Sequence, residues 1–294
     1  MNRYCLLTAL LASSALLPPL EAAHGGAMLV STKWLAAHLS DPNVVVLYVG
    51  RNRADFDAGF IPKACFVPWD QLVTSRGGIP NELPPASQLR DLFEGCGVSD
   101  SSRVVLYGDL LNLSAARAWF TLDYLGHGGH AALLDGGLSK WKAEGRLLAT
   151  AAAAPRRGHL TPQPRPEVVV TLEAMRDLSW AAVNVAGSRL LLIDSRSPAE
   201  FEKEAAHIPG AVNAYWLDDL LGKANPAFRP RSELRKRYQA LGARPGTTIV
   251  VYCYSGVQAS QSYFALKYLG YDVRLYDGSF SEWSRSKDTP AAGR

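Results

Sequence analysis

The sequence predicts an α/β protein built from two tandem copies of one domain, each a mostly parallel sheet flanked by helices. Three observations carry this. The runs Val44–Val49 and Leu190–Ile193 are apolar without polar alternation, as in strands buried on both faces. Segments with apolar residues at helical spacing lie between such runs, behind capping residues. Four blocks also recur in the same order in both halves of the chain.

Residues 1–25 read as a signal peptide. Arg3 precedes an apolar run from Cys5 to Leu17, followed by Pro18, Pro19 and the small residues Ala22 and Ala23. The run is short for a bilayer span. A periplasmic or secreted protein is expected, with no membrane attachment after cleavage; a buried first helix or an uncleaved anchor is the alternative.

The first domain is assigned to residues 26–147. Ser31 or Thr32 caps a helix running to Leu39. The strand Val44–Val49 leads into Gly50 and Arg51, then Phe56, Ile61-Pro62 and Ala64. A helix starts at Pro85, with Gly95 just past its end. The strand Arg103–Tyr107, the segment Phe120–Gly126, and Asp135-Gly136-Gly137 with Trp141 complete the unit.

Residues 148–167 hold Pro155, Pro162, Pro164 and Pro166 and read as a stiff extended linker, with Arg156 and Arg157 as solvated charges. The second domain spans 168–294 and repeats the order. Thr171 caps a helix, Leu190–Asp194 leads into Ser195-Arg196, and Phe201, Ile208-Pro209 and Ala211 follow. The helix from Pro230 ends before Gly242. The strand Thr247–Tyr252, the segment Phe264–Gly270, and Asp277-Gly278-Ser279 with Trp283 close the copy.

The 294 residues carry 31 Lys and Arg against 27 Asp and Glu, a net charge of +4. No basic run marks a nucleic-acid-binding arm. The stretch Arg229, Arg231, Arg235, Lys236 and Arg237 reads as a solvated face. Six histidines show no metal-ligand spacing; His127 and His130 are placed in an exposed turn around Gly128-Gly129. No metal or cofactor is expected. Four cysteines exclude a disulfide framework. Cys65 and Cys96 either pair in an oxidising compartment or stand as small buried hydrophobes, the second being favoured. Cys253 is the odd thiol.

Cys253 closes a buried strand and precedes Tyr254-Ser255-Gly256-Val257-Gln258-Ala259-Ser260 and a helix beginning near Gln261. Sites in parallel sheets lie at the carboxyl ends of strands. Unpaired N–H groups at a helix start, and a Gly-bearing turn that gathers others, stabilise thiolate over thiol. Ser255 and Ser260 offer hydroxyl donors. The expectation is therefore a lowered pKa at Cys253. Counting back 144 residues, the separation of the following Phe120 and Phe264 blocks, sets Asp109 opposite Cys253, so the first copy is expected to be catalytically silent and to wall the cleft between domains. Asp194 anchors Arg196 or the loop backbone, or serves only the fold. Arg51 stands in the first copy where Arg196 stands in the second. Trp69 and Trp216 line the cleft or pack the interface.

Asp194-Ser195-Arg196, His207-Ile208-Pro209-Gly210, Cys253-Tyr254-Ser255-Gly256-Val257 and Asp277-Gly278-Ser279 with Trp283 together resemble the tandem-domain rhodanese family. The resemblance runs from Leu29 to Trp283. It implies an inactive first domain and a second-domain cysteine that cycles through a persulfide, with Tyr254 to Ala259, Asp194 and Arg196 binding the substrate or supporting the loop. It implies sulfur transfer from a small anionic donor, thiosulfate or 3-mercaptopyruvate, to cyanide or a thiol. Thiosulfate-preferring members often carry basic residues after the cysteine; Tyr254 and Ser255 are neutral. The mercaptopyruvate type tends to carry an arginine where Glu200 stands. Thiosulfate is the expected donor, with mercaptopyruvate as the alternative. A persulfide relay feeding a protein acceptor is a further reading, and an inert binding pair the blandest. A cysteine phosphatase would need arginine where Ala259 stands. A monomer is compatible with the internal duplication.

Overall fold

The computed structural model describes residues 27–151, 154–203 and 207–290. The expected leader, Cys5 included, lies outside them. The first domain comprises β1 (Leu29–Val30), α1 (Thr32–His38), β2 (Val44–Gly50), α2 (Arg53–Asp57), β3 (Cys65–Pro68), α3 (Trp69–Leu72), β4 (Thr74–Arg76), β5 (Ile79–Glu82), α4 (Ala86–Gly95), β6 (Arg103–Gly108), α5 (Leu113–Tyr124), β7 (Ala131–Leu134) and α6 (Gly137–Ala143). The second comprises β8 (Val169–Val170), α7 (Leu172–Asn184), β9 (Leu190–Asp194), α8 (Pro198–Lys203), β10 (Ala211–Asn213), α9 (Arg231–Ala240), β11 (Thr248–Tyr252), α10 (Val257–Leu269), β12 (Val273–Tyr276) and α11 (Ser279–Trp283).

The sheet orders are β1-β7-β6-β2-β3 and β8-β12-β11-β9-β10. Every pairing within these two sheets is parallel. The second order is the first repeated strand for strand. Both sheets are buried on both faces, which accounts for the unalternated apolar runs. Ser31, not Thr32, caps α1 by accepting the Trp34 N–H, and Thr171 caps α7 by accepting that of Ala174. Gly95 lies inside α4. Gly97 takes the positive φ expected there, +87°, while Gly242 takes +107° as expected.

Helices α5 and α10 occupy matching places in the two copies and pack on each other. Trp119 meets Phe264 edge-on at 5.0 Å and Phe120 meets Tyr263 edge-on at 5.0 Å. The Tyr263 hydroxyl donates to Asp123 at 2.6 Å, and burial with the Asp123 charge pushes its pKa far above the ordinary phenol value. Cores of both domains merge across this helix pair.

The linker does not run free. Its backbone bonds to Glu94, Leu125 and Tyr124, and Leu160 is buried. Arg157 pairs with Glu94 at 2.7 Å, so it is not a solvated charge alone. Cys65 and Cys96 form a disulfide joining the start of β3 to the end of α4, against the favoured expectation of two free cysteines. His127 is buried, not exposed, with its Nε2 3.2 Å from the Ser102 carbonyl. Arg237 is likewise drawn inward, bonding Asp219 at 2.7 Å. Among the described residues no helix is long and apolar enough to cross a membrane.

Candidate active site

Cys253 follows β11 directly, and α10 begins at Val257, four residues earlier than the sequence reading placed it. The loop proper is therefore Cys253–Gly256, and Val257, Gln258 and Ala259 form the first turn of α10. Gly256 turns the chain with φ +80°. A Cβ there would lie 3.0 Å from the carbonyl oxygen of Asp277 and 3.2 Å from Arg117 Nη1, so glycine is required by conformation and by space. The Cys253 and Tyr254 carbonyls accept the N–H groups of Phe280 and Ser281 at 2.9 Å each, tying the loop to α11. The Cys253 N–H donates to Ser279 Oγ at 3.3 Å.

The Cys253 side chain is 1% exposed and is the free cysteine among the described residues. Burial raises its pKa above the ordinary thiol value. The backbone N–H groups of Ala259, Ser255 and Gln258 pull it down, and the Asp194 charge pushes it up. The gathering of N–H groups expected from the loop is present, yet desolvation outweighs it, so the expected lowered pKa is corrected. Ser260 does not serve the sulfur: its hydroxyl donates to the Gly256 carbonyl at 2.8 Å. Ser255 Oγ accepts from Asn81 Nδ2 of the first domain at 3.0 Å. Tyr254 points outward and is 52% exposed.

Asp194 and Arg196 are both buried at the end of β9, beside Tyr252. Arg196 Nε lies 3.0 and 2.9 Å from the two Asp194 oxygens and Nη2 lies 2.6 Å from Oδ2. The guanidinium also sits over the Phe280 ring at 4.5 Å. Burial works against its charge, but Asp194 more than restores it, and the Cys253 charge adds to the same effect. The pair is thus a fixed, nearly neutral unit within electrostatic reach of the sulfur. Glu200 forms a capping box with Ser197: the Ser197 N–H donates to its carboxylate at 3.0 Å, and the Glu200 N–H donates to Ser197 Oγ at 3.3 Å.

Strand register corrects the matching of the two copies. Tyr107 pairs with Tyr48, which pairs with Phe66; Tyr252 pairs with Asp194, which pairs with Asn213. The Tyr107 and Tyr252 hydroxyls accept the N–H groups of Ile61 and Ile208 at 2.9 and 3.0 Å. Gly108, not Asp109, is therefore the counterpart of Cys253, Tyr48 that of Asp194, and Gly50 that of Arg196. A Cβ at Gly50 would meet the Tyr48 ring at 2.5 Å, and one at Gly108 would collide with Ser114 Oγ and the Val49 carbonyl. Arg51 lies one position on, its backbone N–H bonded to Asp109 and its guanidinium over Trp69 at 4.2 Å. Trp69 and Trp216 are both buried. The first copy thus has a glycine where the second has Cys253, with no space for a side chain at that position.

First-domain residues that the sequence reading did not single out reach the loop. Leu83 N–H donates to Asp277 Oδ2 at 2.8 Å. Arg117 Nη1 lies 2.5 Å from Asp277 Oδ1, and Nη2 donates to the Asn81 carbonyl at 2.6 Å. The one signal for Arg117 was an arginine inside the otherwise small and apolar opening of α5.

A model of the rhodanese-like domain matches residues 31–144 and again 177–286, and the chain belongs to that family. It is 35% identical over 287 residues to the sulfur carrier protein TtuD of Thermus thermophilus, covering 90% of this chain and 96% of that protein. It is 30% identical over 284 residues to a thiosulfate sulfurtransferase of Corynebacterium glutamicum, covering 89% of each. Among solved structures, SseA of Escherichia coli, described with the 3-mercaptopyruvate sulfotransferases, aligns with a TM-score of 0.73 at 28% identity. That alignment covers 86% of this chain and 99% of SseA.

Proposed function

We propose that the protein is a sulfurtransferase that moves the sulfane sulfur of thiosulfate to a thiophilic acceptor through a persulfide on Cys253. The observation that carries this is the placement of the thiol at the carboxyl end of β11, with the N–H groups of Ser255, Gln258 and Ala259 directed at its sulfur. Those donors suit an anion that forms during the reaction. After losing its proton to solvent, the Cys253 thiolate attacks the outer sulfur of thiosulfate. A new S–S bond forms as the donor's own S–S bond breaks, and sulfite leaves with the bonding pair. Cyanide or a thiolate then attacks the outer sulfur of the persulfide. Thiocyanate or a new persulfide departs, and the Cys253 thiolate returns. The two steps balance without an external oxidant or reductant.

Glu200 stands where the mercaptopyruvate type tends to carry an arginine, and it is committed to capping α8. This supports thiosulfate over mercaptopyruvate. The Cys65–Cys96 disulfide supports export to an oxidising compartment. The reduced protein, exposed separately to thiosulfate and to 3-mercaptopyruvate, is expected to gain one sulfur atom on Cys253 with thiosulfate, read by intact mass and peptide mapping. Cys253→Ser is expected to fold and to gain none. Loading by mercaptopyruvate alone would replace the donor. Loading by neither, in folded protein with a free thiol, would favour a relay fed by a protein and would remove the enzyme assignment.

A further inference from the structure

The domain interface is clasped almost symmetrically. Asp277, after β12, accepts the Leu83 N–H of the first domain at 2.8 Å, and Asp135, after β7, accepts the Phe228 N–H of the second at 2.9 Å. The symmetry fails at one pair of positions. Matching Phe120 with Phe264 sets Arg117 opposite Gln261. Arg117 is fully buried and crosses to Asp277 at 2.5 Å. Gln261 is also buried, but neither of its amide atoms has a hydrogen-bond partner among the described residues. Asp135 has instead a lysine of its own domain, Lys140, at 3.8 Å. The clasp therefore forms without a cross-domain arginine, and that arginine appears on the side that faces the Cys253 loop.

We propose, resting on the persulfide reading above, that Arg117 is a positioning residue of the silent domain that neutralises Asp277 so that the loop can hold an anionic sulfur. Asp277 crowds the turn: a Cβ on Gly256 would lie 3.0 Å from its Oδ1. A bare carboxylate there would oppose the thiolate and persulfide anions in a site of low dielectric. Arg117 cancels it, and its second nitrogen holds the Asn81 carbonyl while the Asn81 side chain holds Ser255. The other charged groups around the loop are Asp194 and Arg196 from the end of β9, Glu282 on α11, and Glu82 on β5 with Arg76 at 4.0 Å. Asp194 and Arg196 already form a pair of their own, which leaves Asp277 to Arg117.

The test reads Cys253 alkylation by iodoacetamide against pH in the full chain, which needs no sulfur donor. Arg117→Gln, which installs the counterpart residue, is expected to slow alkylation at fixed pH by about tenfold, equivalent to one pKa unit upward. Asp277→Asn removes the carboxylate that Arg117 pairs with and is expected to speed it. The double variant is expected to return to within about threefold of wild type, a coupling that a double-mutant cycle measures. A merely structural pair would move both single variants in the same direction. Both slowing, or neither changing in folded protein, overturns the proposal. Should Arg117→Gln fail to fold, Asp277→Asn and the double variant still decide it: no acceleration in the former, or no return in the latter, overturns it. Because alkylation is independent of thiosulfate, failure here is distinct from failure of the persulfide assignment.

Discussion

At the scale of single residues, the contest over Cys253 is between burial and hydrogen bonding. Three N–H groups aim at the sulfur, yet loss of water dominates and the thiol pKa rises. The expected consequence is an alkylation rate that keeps climbing through about pH 8.5, the ordinary thiol value, and beyond it. The iodoacetamide profile checks this; a plateau below pH 7 would contradict it. The placement of Cys253 was legible in the sequence because it is local: strand, cysteine, glycine turn, helix. Its burial was not legible, because α11 and the neighbouring domain, far off in sequence, bond to the loop. Glu200 shows the same division. Its charge is evident from sequence, while its engagement with Ser197 is a matter of local backbone geometry.

At the scale of elements, the repeat was legible as a pattern and misread by one residue. Separations counted along the chain absorb insertions silently, whereas hydrogen bonds between strands do not. Register moves the counterpart of Cys253 from Asp109 to Gly108. The loop after Gly108 also differs in kind. Leu110, Leu111 and Asn112 all take positive φ, at 50°, 59° and 70°, where the second copy needs only Gly256. Such a backbone is costly for residues with side chains and persists because its surroundings hold it. Transplanting the cysteine should therefore fail. Gly108→Cys in a Cys253→Ser background is expected to gain no sulfur from thiosulfate by intact mass. It is also expected to lose about 1–3 kcal/mol of stability in urea, the scale of overpacking a filled site. A persulfide at position 108 would show that the first copy retains a working loop.

At the scale of the whole molecule, the two sheets share one core through α5 and α10, and the linker is hydrogen-bonded along the first domain. A single cooperative unfolding transition is expected, with tyrosine and tryptophan signals and far-ultraviolet circular dichroism coinciding; two separated transitions would contradict it. The Cys65–Cys96 bond spans 31 residues of the first domain. Its reduction is expected to cost roughly 3–4 kcal/mol by loop entropy, lowering the midpoint of that one transition for both halves. These features were beyond the sequence because they are contacts between segments far apart in the chain. Leu83 and Arg117 reach Asp277 across separations of 194 and 160 residues.

The reciprocal clasp of Asp135 and Asp277 has the form of a two-fold interface between separate subunits, in which each partner offers the same patch to the other. In a true dimer that arrangement would come apart on dilution, and the Cys253 loop would lose its neighbouring wall with it. Here one chain supplies both partners, so their local concentration is fixed by a short connector rather than by how much protein the compartment holds. One half can thereby carry glycine at the strand end where the other carries Cys253, while remaining permanently at hand as that half's support.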